Sequence, residues 1–304
     1  FPKLGWMRLR LSRAVLGAPC NATVSLNAGK WFVSIQTERE VEQPAPQATS
    51  AVGIDVGVAR FATMSDGSSL TPLNSFRKHE ARLRRYQRAM SGKVNFSKNW
   101  RKAKARVQRV HVRIGNVRRD YLHKATTTIS KNHAMVCIED LQVRNMSRSA
   151  AGTTENPGKN VRAKSGLNKS ILDQGWFEFR RQLEYKLAWS GGWLIAVPPQ
   201  HTSRTCPDCG CVSADNRPTQ AQFRCVECGF EDNADVVGAI NILARGHRVA
   251  ACGEPVHSGR SVKQEPTEAI WDVHHRFRHR RILRPLGRGR CQRPVCRAEN
   301  RALA

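Results

Sequence analysis

The sequence has 304 residues, and its 51 Lys and Arg against 24 Asp and Glu leave a formal net charge of +27. Apolar residues make up 40% and charged residues 25%, an ordinary globular mixture, so the charge belongs to a folded protein that needs a polyanionic partner. This charge argues against a small-molecule substrate, and no run reaches the roughly 18 apolar residues of a membrane span. We therefore expect a nucleic-acid partner, no membrane, and a cytoplasmic, nucleoid-associated location.

The N-terminal region alternates apolar and polar residues in three short runs, 5–11, 21–26 and 30–37. Alternation of this kind, with an Asn-Ala-Gly turn between the second and third runs, predicts three antiparallel strands with one solvated face. Residues 41–50 contain two prolines and no periodicity, which predicts a linker. Because Phe1 opens such an alternation rather than a signal peptide, we expect an N-terminally truncated part of a longer protein.

Apolar strands alternate with helical patterns between residues 51 and 200. Residues 51–65 predict a buried strand, a glycine-assisted turn and a second strand, while 133–139 and 193–197 predict two further buried strands. Apolar residues at helical spacing over 176–187 predict a helix between the last two strands. This alternation predicts an α/β core with a mixed sheet.

The positive charge is concentrated in the segment 77–131, for which we predict basic helices. Between residues 77 and 124 there are 17 Lys and Arg and only two acids. Apolar residues over 107–121 recur at spacings of three and four, which predicts one long helix with basic residues on its other faces. A solvated face is the alternative, but like charges at helical spacing repel one another, which favours phosphate contact. The candidate nucleic-acid-binding residues are Arg106, Arg109, Arg113, Arg118 and Arg119.

Four of the ten cysteines form two C-x-x-C pairs, Cys206 with Cys209 and Cys225 with Cys228, with 15 residues between the pairs. Each pair lets two thiolates converge on one metal, so the spacing predicts a four-thiolate zinc site in a ribbon over residues 201–230. With all four thiolates used, no coordination position stays open, and we expect structural rather than catalytic zinc. A redox dithiol would use one pair and leave the other unexplained.

Three acidic residues stand where predicted core elements end. Asp55 follows the first buried strand, and Glu139 ends the second. Asp235 stands directly before the apolar run 236–243 of a predicted helix over residues 231–246, which we expect to end at Gly246. Each acid alone could cap a helix or a turn. Together, in a strongly basic chain, they are the oxygen ligands that Mg2+ prefers, and a pair of such ions can clamp both sides of a phosphodiester displacement.

Five segments resemble, in order and spacing, the TnpB (OrfB) proteins of insertion sequences, which are relatives of the compact type V CRISPR effectors. The combination of separated acids with a zinc ribbon is more specific than any single motif. Residues 247–304 are rich in Arg and predict a basic, disordered tail. The five segments are 53–57, 138–141, 202–210, 223–229 and 234–242.

The resemblance implies a RuvC-like, ribonuclease-H-type α/β core over residues 51–200 with an inserted zinc ribbon, preceded by a partial oligonucleotide-binding-like β-barrel over residues 1–40. It implies that Asp55, Glu139 and Asp235 bind two Mg2+ ions, of which one lowers the pKa of the attacking water and the other stabilises the leaving oxygen. It also implies a transposon-encoded, metal-dependent DNA endonuclease guided by an RNA. A nuclease-inactive nucleic-acid-binding regulator, or a decayed transposase fragment, is the alternative.

Overall fold

A computed structural model describes residues 8–42 and 44–251 of the chain. Of the tail predicted over residues 247–304, residues 247–251 form the end of the last helix, and the rest lies outside the described residues. Within the described ranges, no helix combines the length and the apolar composition needed to cross a lipid bilayer.

The N-terminal region forms an antiparallel hairpin of two strands, β1 (Ala18–Asn27) and β2 (Lys30–Glu38). Both residues of the connecting turn take positive φ values, which suit the twist of a tight hairpin. The sequence predicts a further strand over residues 5–11, but residues 8–11 form none, and residues 5–7 lie outside the described residues. Among the described residues no third strand pairs with either edge, so the described part of this region is a two-stranded hairpin, and the partial barrel stays a prediction.

A five-stranded mixed sheet lies at the centre of the fold. Its strands are β3 (Ala51–Val56), β4 (Ala62–Met64), β5 (Ser69–Leu70), β6 (Met135–Glu139) and β7 (Trp193–Val197). They follow the spatial order β5-β4-β3-β6-β7. Strand β4 runs antiparallel to β5 and β3, whereas β6 runs parallel to β3 and β7. The predicted mixed α/β class is thus confirmed. Because β3 and β6 run in parallel, their carboxyl ends meet at one edge of the sheet.

Helices connect and cover the sheet. They are α1 (Ser75–Ser91), α2 (Lys98–Asn132), α3 (Val143–Met146), α4 (Val161–Gln174), α5 (Trp176–Trp189) and α6 (Ala234–Ala251). The predicted basic helical segment corresponds to α1 and α2, which pack together through Leu83, Val107 and Val110. Their apolar stripes therefore face each other, and their basic residues point outward.

The sheet is covered on both faces. Alternate residues of β6 point to opposite sides of the sheet and enter two separate clusters. Val136 packs with Leu122 of α2 and Phe179 of α5, whereas Cys137 packs with Ile242 of α6. In these two buried clusters, α6 is the one described helix that covers its face of the sheet, whereas α2 and α5 cover the other face.

Helix α6 continues past Gly246, the residue at which the sequence predicts its end, and it begins at Ala234 rather than at residue 231. A Cβ placed on Gly246 would overlap the sulfur of Cys137. Glycine at this position therefore allows the helix to approach the sheet closely, and it does not terminate the helix. The same holds on the strand side at Gly53, where a Cβ would lie 2.7 Å from the amide nitrogen of Leu243.

Candidate functional site

The four predicted cysteine ligands converge in one cluster. The Sγ atoms of Cys206 and Cys228 lie 3.6 Å apart, and those of Cys209 and Cys225 lie 3.5 Å apart. All four sulfurs lie within 4.8 Å of one another. A tetrahedral zinc ion with Zn–S bonds of about 2.3 Å places its sulfurs roughly 3.8 Å apart, so the cluster has the dimensions of a four-thiolate zinc site.

The two C-x-x-C turns have the same backbone geometry. The amide of Gly210 donates to the carbonyl of Cys206, and the amide of Gly229 donates to the carbonyl of Cys225, each over 3.1 Å. Both glycines take positive φ values, 76° and 75°, which lets the chain fold back after each pair. Cys211 lies one residue beyond the first turn, and its sulfur is not part of the four-sulfur cluster.

Backbone donors favour the thiolate form of one of the four cysteines. Backbone hydrogen bonds, first that of the Cys228 amide, lower the pKa of Cys225 to about 6, whereas the pKa of Cys209 is raised to about 12 and that of Cys228 is also raised. A metal ligand must be deprotonated, so Cys225 is the cysteine of this cluster that is most ready to bind a metal near neutral pH.

The ribbon that carries the four cysteines packs directly on the start of α6. Its strands β8 (Gln222–Arg224) and β9 (Glu231–Asn233) pair in antiparallel fashion, so the ribbon extends to residue 233 rather than to 230. The fully buried ring of Phe223 packs in one cluster with Ala234 and Val237 of α6. The ribbon is therefore anchored beside Asp235.

The three predicted acids lie at one edge of the sheet. Ile54 of β3 pairs with Ile138 of β6 in parallel register, so the next residues, Asp55 and Glu139, lie side by side. Helix α6 crosses this edge, and a Cβ on its Gly238 would lie 3.1 Å from Oδ2 of Asp55. Asp235 is three residues before Gly238 in the same helix and therefore faces the same way.

Burial raises the pKa of two of these carboxyl groups, and the charges of the other two acids add to the effect on Asp55. The pKa of Asp55 is raised to about 7, chiefly by burial and then by the negative charges of Glu139 and Asp235. The pKa of Glu139 is also raised by burial, although a hydrogen bond from Thr202 opposes this shift. Among the described residues, the cysteine cluster is the one group whose ligand atoms all lie within 4.8 Å, so the carboxylates are spread more widely than the ligands of a compact single-ion site.

Arg217 is a residue of this site that the sequence analysis did not identify. Its Nη2 lies 3.4 Å from Oδ1 of Asp235 and donates to the carbonyl of Gln220 over 2.6 Å. Its positive charge also lowers the pKa of Asp55, against the effects of burial and of the neighbouring acids. Arg217 belongs to the ribbon, and its spacing to Asp235 follows no metal-ligand pattern, so the sequence offers only its charge as a signal.

Thr202 fixes the orientation of Glu139. Its hydroxyl donates to Oε1 of Glu139 over 2.5 Å. The buried side chain of Asn241 on α6 holds this segment by donating to the carbonyls of Thr202, over 2.8 Å, and Thr205, over 2.7 Å. The segment that leads into the ribbon therefore positions one of the three acids.

The predicted phosphate-binding arginines have three different surroundings. Arg106, Arg109 and Arg113 line an open cleft of about 380 Å³ between α1 and α2. Arg119 is exposed but does not line this cleft. Arg118 is largely enclosed and has an internal role: its guanidinium donates to the carbonyl of Leu172 over 3.1 Å and lies 3.7 Å from the carboxylate of Asp173.

The cleft has a mixed basic and aromatic lining. Besides its three arginines from α2, the cleft is lined by Val110 of that helix and, from α1, by His79, Arg82 and Tyr86. This combination of cations and one phenol ring suits a phosphate backbone with adjoining sugars or bases.

Comparisons with known proteins identify the family. Residues 34–150 match the family OrfB_IS605, described as "Probable transposase", and residues 176–242 match the family "Cas12f1-like, TNB domain". The chain is 61% identical over 269 residues to "Putative RNA-guided DNA endonuclease InsQ" of Escherichia coli (strain K12), which covers 88% of this chain and 67% of that protein. It is 39% identical to "Putative RNA-guided DNA endonuclease" of Streptomyces pristinaespiralis, covering 83% of this chain and 61% of that protein.

A solved Cas12f1–sgRNA–target DNA complex aligns with 72% of this chain and 55% of its own chain, at 19% identity and a TM-score of 0.42. The chain spans between about half and two-thirds of the length of the first curated relatives it matches. The strength and extent of the match to InsQ decide the classification. The chain belongs to the OrfB (TnpB) family of insertion-sequence proteins.

Proposed function

We propose that this chain carries the catalytic core of an RNA-guided DNA endonuclease encoded by a transposable element. The convergence of Asp55, Glu139 and Asp235 from β3, β6 and α6 is the observation that carries the proposal. The relatives named as RNA-guided DNA endonucleases supply the guide and the target as expected partners. A nuclease-inactive regulator would need the basic surface but would have no use for three mutually repelling acids.

The sheet supports a RuvC-like interpretation of the core. Three antiparallel strands, β5, β4 and β3, are followed by the parallel strands β6 and β7, and α6 covers the opposite face from α2 and α5. The acids come from the central strand, from its parallel neighbour and from the helix that crosses both. Only this chain topology brings together residues that are 84 and 96 positions apart in the sequence (139 minus 55; 235 minus 139).

The donor set fits divalent cations. Asp55, Glu139 and Asp235 would hold Mg2+, because a hard cation prefers carboxylate oxygens and would relieve the repulsion that raises the pKa of Asp55. Bound Mg2+ would lower the pKa of an attacking water and stabilise charge on the phosphate. Two ions about 3.5 to 4 Å apart are the arrangement that we propose for these three carboxylates.

The remaining residues of the site position groups and balance charge. Thr202 holds one oxygen of Glu139 and so leaves the other oxygen for a ligand. The guanidinium of Arg217 lies beside Asp235, where it can donate to an anionic phosphate that enters the site. We assign to the four cysteines a structural zinc ion, which holds the ribbon that carries Arg217.

A cleavage assay tests the proposal. The purified chain, in complex with a guide RNA and supplied with Mg2+ and labelled complementary single-stranded DNA, is expected to cut, and the Asp55→Ala variant is expected to bind the DNA but not to cut it. Asp66→Asn is the matched control, since Asp66 bonds to Ser68 in a surface turn away from the three acids. If the wild-type chain binds DNA without cutting it, the regulator replaces the nuclease.

A further inference from the structure

The connection between α1 and α2 carries an exposed Phe96, whose ring lies beside the half-buried Trp100 in the first turn of α2. The ring centroids of the two side chains lie 5.2 Å apart with an interplanar angle of 48°. Phe96 is 72% exposed, and Nζ of Lys104 lies 4.9 Å from the centroid of the Trp100 ring. We call Phe96 and Trp100 the tip pair. Phe96 thus presents an apolar ring to solvent, and the ammonium group of Lys104 lies close to the ring of Trp100.

Phe96 occupies a backbone conformation that does not suit it. The amide of Ser97 donates to the carbonyl of Val94 over 3.2 Å and closes a turn, within which Phe96 has a φ of +66°. Glycine or asparagine is the favoured residue at a positive φ in a turn, and a bulky side chain there is strained. Turn formation therefore does not account for an aromatic residue at this position.

Packing at the start of α2 does not account for it either. Ser97 already caps the helix by accepting a hydrogen bond from the amide of Trp100 over 3.1 Å. A hydrophobic staple would join Phe96 to the fourth residue of the helix, which is Arg101, and would bury the ring. The Phe96 ring instead packs at a tilt against the Trp100 ring and stays mostly exposed to water.

The surroundings of the tip pair indicate a polyanionic partner. Residues 81–119 contain 14 Lys and Arg and no acid. A second depression of about 280 Å³ between α1 and α2 is lined by Lys93, Lys102 and Arg106, and it shares Arg106 and Tyr86 with the larger cleft. A phosphate backbone that follows these two depressions would leave the cleft beside the connection that carries the tip pair.

We propose that the tip pair stacks against an unpaired nucleobase of a single strand whose phosphates lie in the cleft. A nucleobase is the one part of a nucleic acid that offers an apolar face, and stacking on aromatic side chains is tolerant of base identity. An acidic protein would satisfy the cations but leave the rings in water, so the combination of charge and exposed aromatics favours the nucleic acid. The inference rests on the proposed nucleic-acid function and adds the class of ligand and its position.

An abasic strand separates stacking from phosphate contact. A labelled single-stranded oligonucleotide and an abasic strand of the same length are titrated at one salt concentration, with RNA and DNA as separate arms. The wild-type chain is expected to prefer the base-bearing strand by about fivefold or more, and Phe96→Ala to remove most of that preference. Because Phe96→Ala removes no charge, the slope of log affinity against log salt is expected to stay unchanged.

Matched variants keep the outcome decisive. Phe177→Ala removes an equally exposed ring, 67% exposed on α5, and is expected to leave the preference unchanged. Trp100→Ala removes the second ring of the tip pair. If this variant unfolds the start of α2, Trp100→Phe replaces it, because it keeps an aromatic ring at that position. Equal losses on both strands with Phe96→Ala, or the same loss with Phe177→Ala, would overturn the inference. Wild-type binding of neither strand would overturn the proposed nucleic-acid function itself, whereas equal wild-type binding of both strands would overturn stacking alone.

Discussion

Arg217 of the four-cysteine ribbon lies 3.4 Å from Asp235 at the start of α6. This contact joins two parts of the chain that are separate in the sequence, the cysteine ribbon and the acidic site. It means that the ribbon is more than an attachment: its fold determines where a positive charge stands beside the three carboxylates. The first two predictions follow from this relationship.

The Arg217→Ala variant is expected to slow cleavage by about 10²-fold or more, because it removes a preorganised donor from a site where negative charge accumulates. DNA binding should change little, since one of many cations is lost. Single-turnover cleavage and equilibrium binding, measured side by side, check this. Arg224→Ala is the control, because Arg224 is an exposed arginine of the same ribbon that pairs with Glu231. Equal effects of the two variants would mean that Arg217 acts only through ribbon stability.

Metal analysis of the purified chain is expected to give about one zinc per chain, because four sulfurs that lie within 4.8 Å of one another can bind one zinc ion in tetrahedral geometry. Cys225→Ser should lose the zinc, lower the thermal midpoint and lose cleavage, since the ribbon holds Arg217 in place. Cys211→Ser should retain the zinc, the thermal midpoint and cleavage. A folded chain that contains no zinc would contradict the assignment.

Thermal stability without Mg2+ is expected to depend on pH through Asp55. The pKa of this group rises from 3.8 in the unfolded chain to about 7 in the folded protein, so the folded state binds the proton more tightly. The resulting stability is complete below pH 4, falls as the pH rises toward 7 and is absent above it. Asp55→Asn should therefore be more stable than the wild type at pH 8 and gain far less at pH 4 to 5.

Thermal melts in buffers free of Mg2+, with zinc left in place, measure this difference; each kcal/mol corresponds to about 2 to 4 °C in a chain of this size. Added Mg2+ should raise the midpoint of the wild type and not that of Asp55→Asn, because the variant lacks a ligand. A difference between the two proteins that is the same at pH 5 and pH 8 would contradict the burial and charge effects assigned to Asp55.

Neutralising the cleft should weaken nucleic-acid binding and its salt dependence together. The triple change of Arg106, Arg109 and Arg113 to Gln is expected to lower the slope of log affinity against log salt by about 2 to 3, if each arginine contacts one phosphate. Changing Arg84, Lys124 and Lys169 to Gln is the matched control, since these cations form ion pairs outside the cleft. A triple cleft variant with the wild-type slope would rule out phosphate contact there.

Local patterns were sufficient to predict the four-cysteine cluster, whereas the role of the three acids stays a prediction. Two C-x-x-C pairs define their own geometry, and acids at the ends of buried parallel strands meet because those ends share an edge of the sheet. Contacts between distant segments were not predictable in this way. Arg118 reads as one more exposed arginine of α2, yet Asp173, 55 residues later, draws it inward.

Single residues with two possible roles were also misread. Gly246 after an apolar run fits a helix end as well as a close helix–sheet contact, and only Cys137 on the facing strand distinguishes the two roles.

Helix α4 carries little apolar periodicity, since its buried residues are Ile171, Asp173 and Gln174. Asp173 is buried because it accepts hydrogen bonds from Ser75 and from the Phe76 amide at the start of α1, which no local pattern encodes.

Two neighbouring acids at the end of β6 test the central claim most directly. Glu139 faces the three-acid site and is held by Thr202, whereas Asp140 pairs with Arg180 outside it. In a cleavage assay with Mg2+, Glu139→Gln is expected to abolish cutting with DNA binding retained, and Asp140→Asn to cut at close to the wild-type rate. Cleavage that persists in Glu139→Gln, or that is lost equally in both variants, would contradict a metal-dependent nuclease site built from Asp55, Glu139 and Asp235.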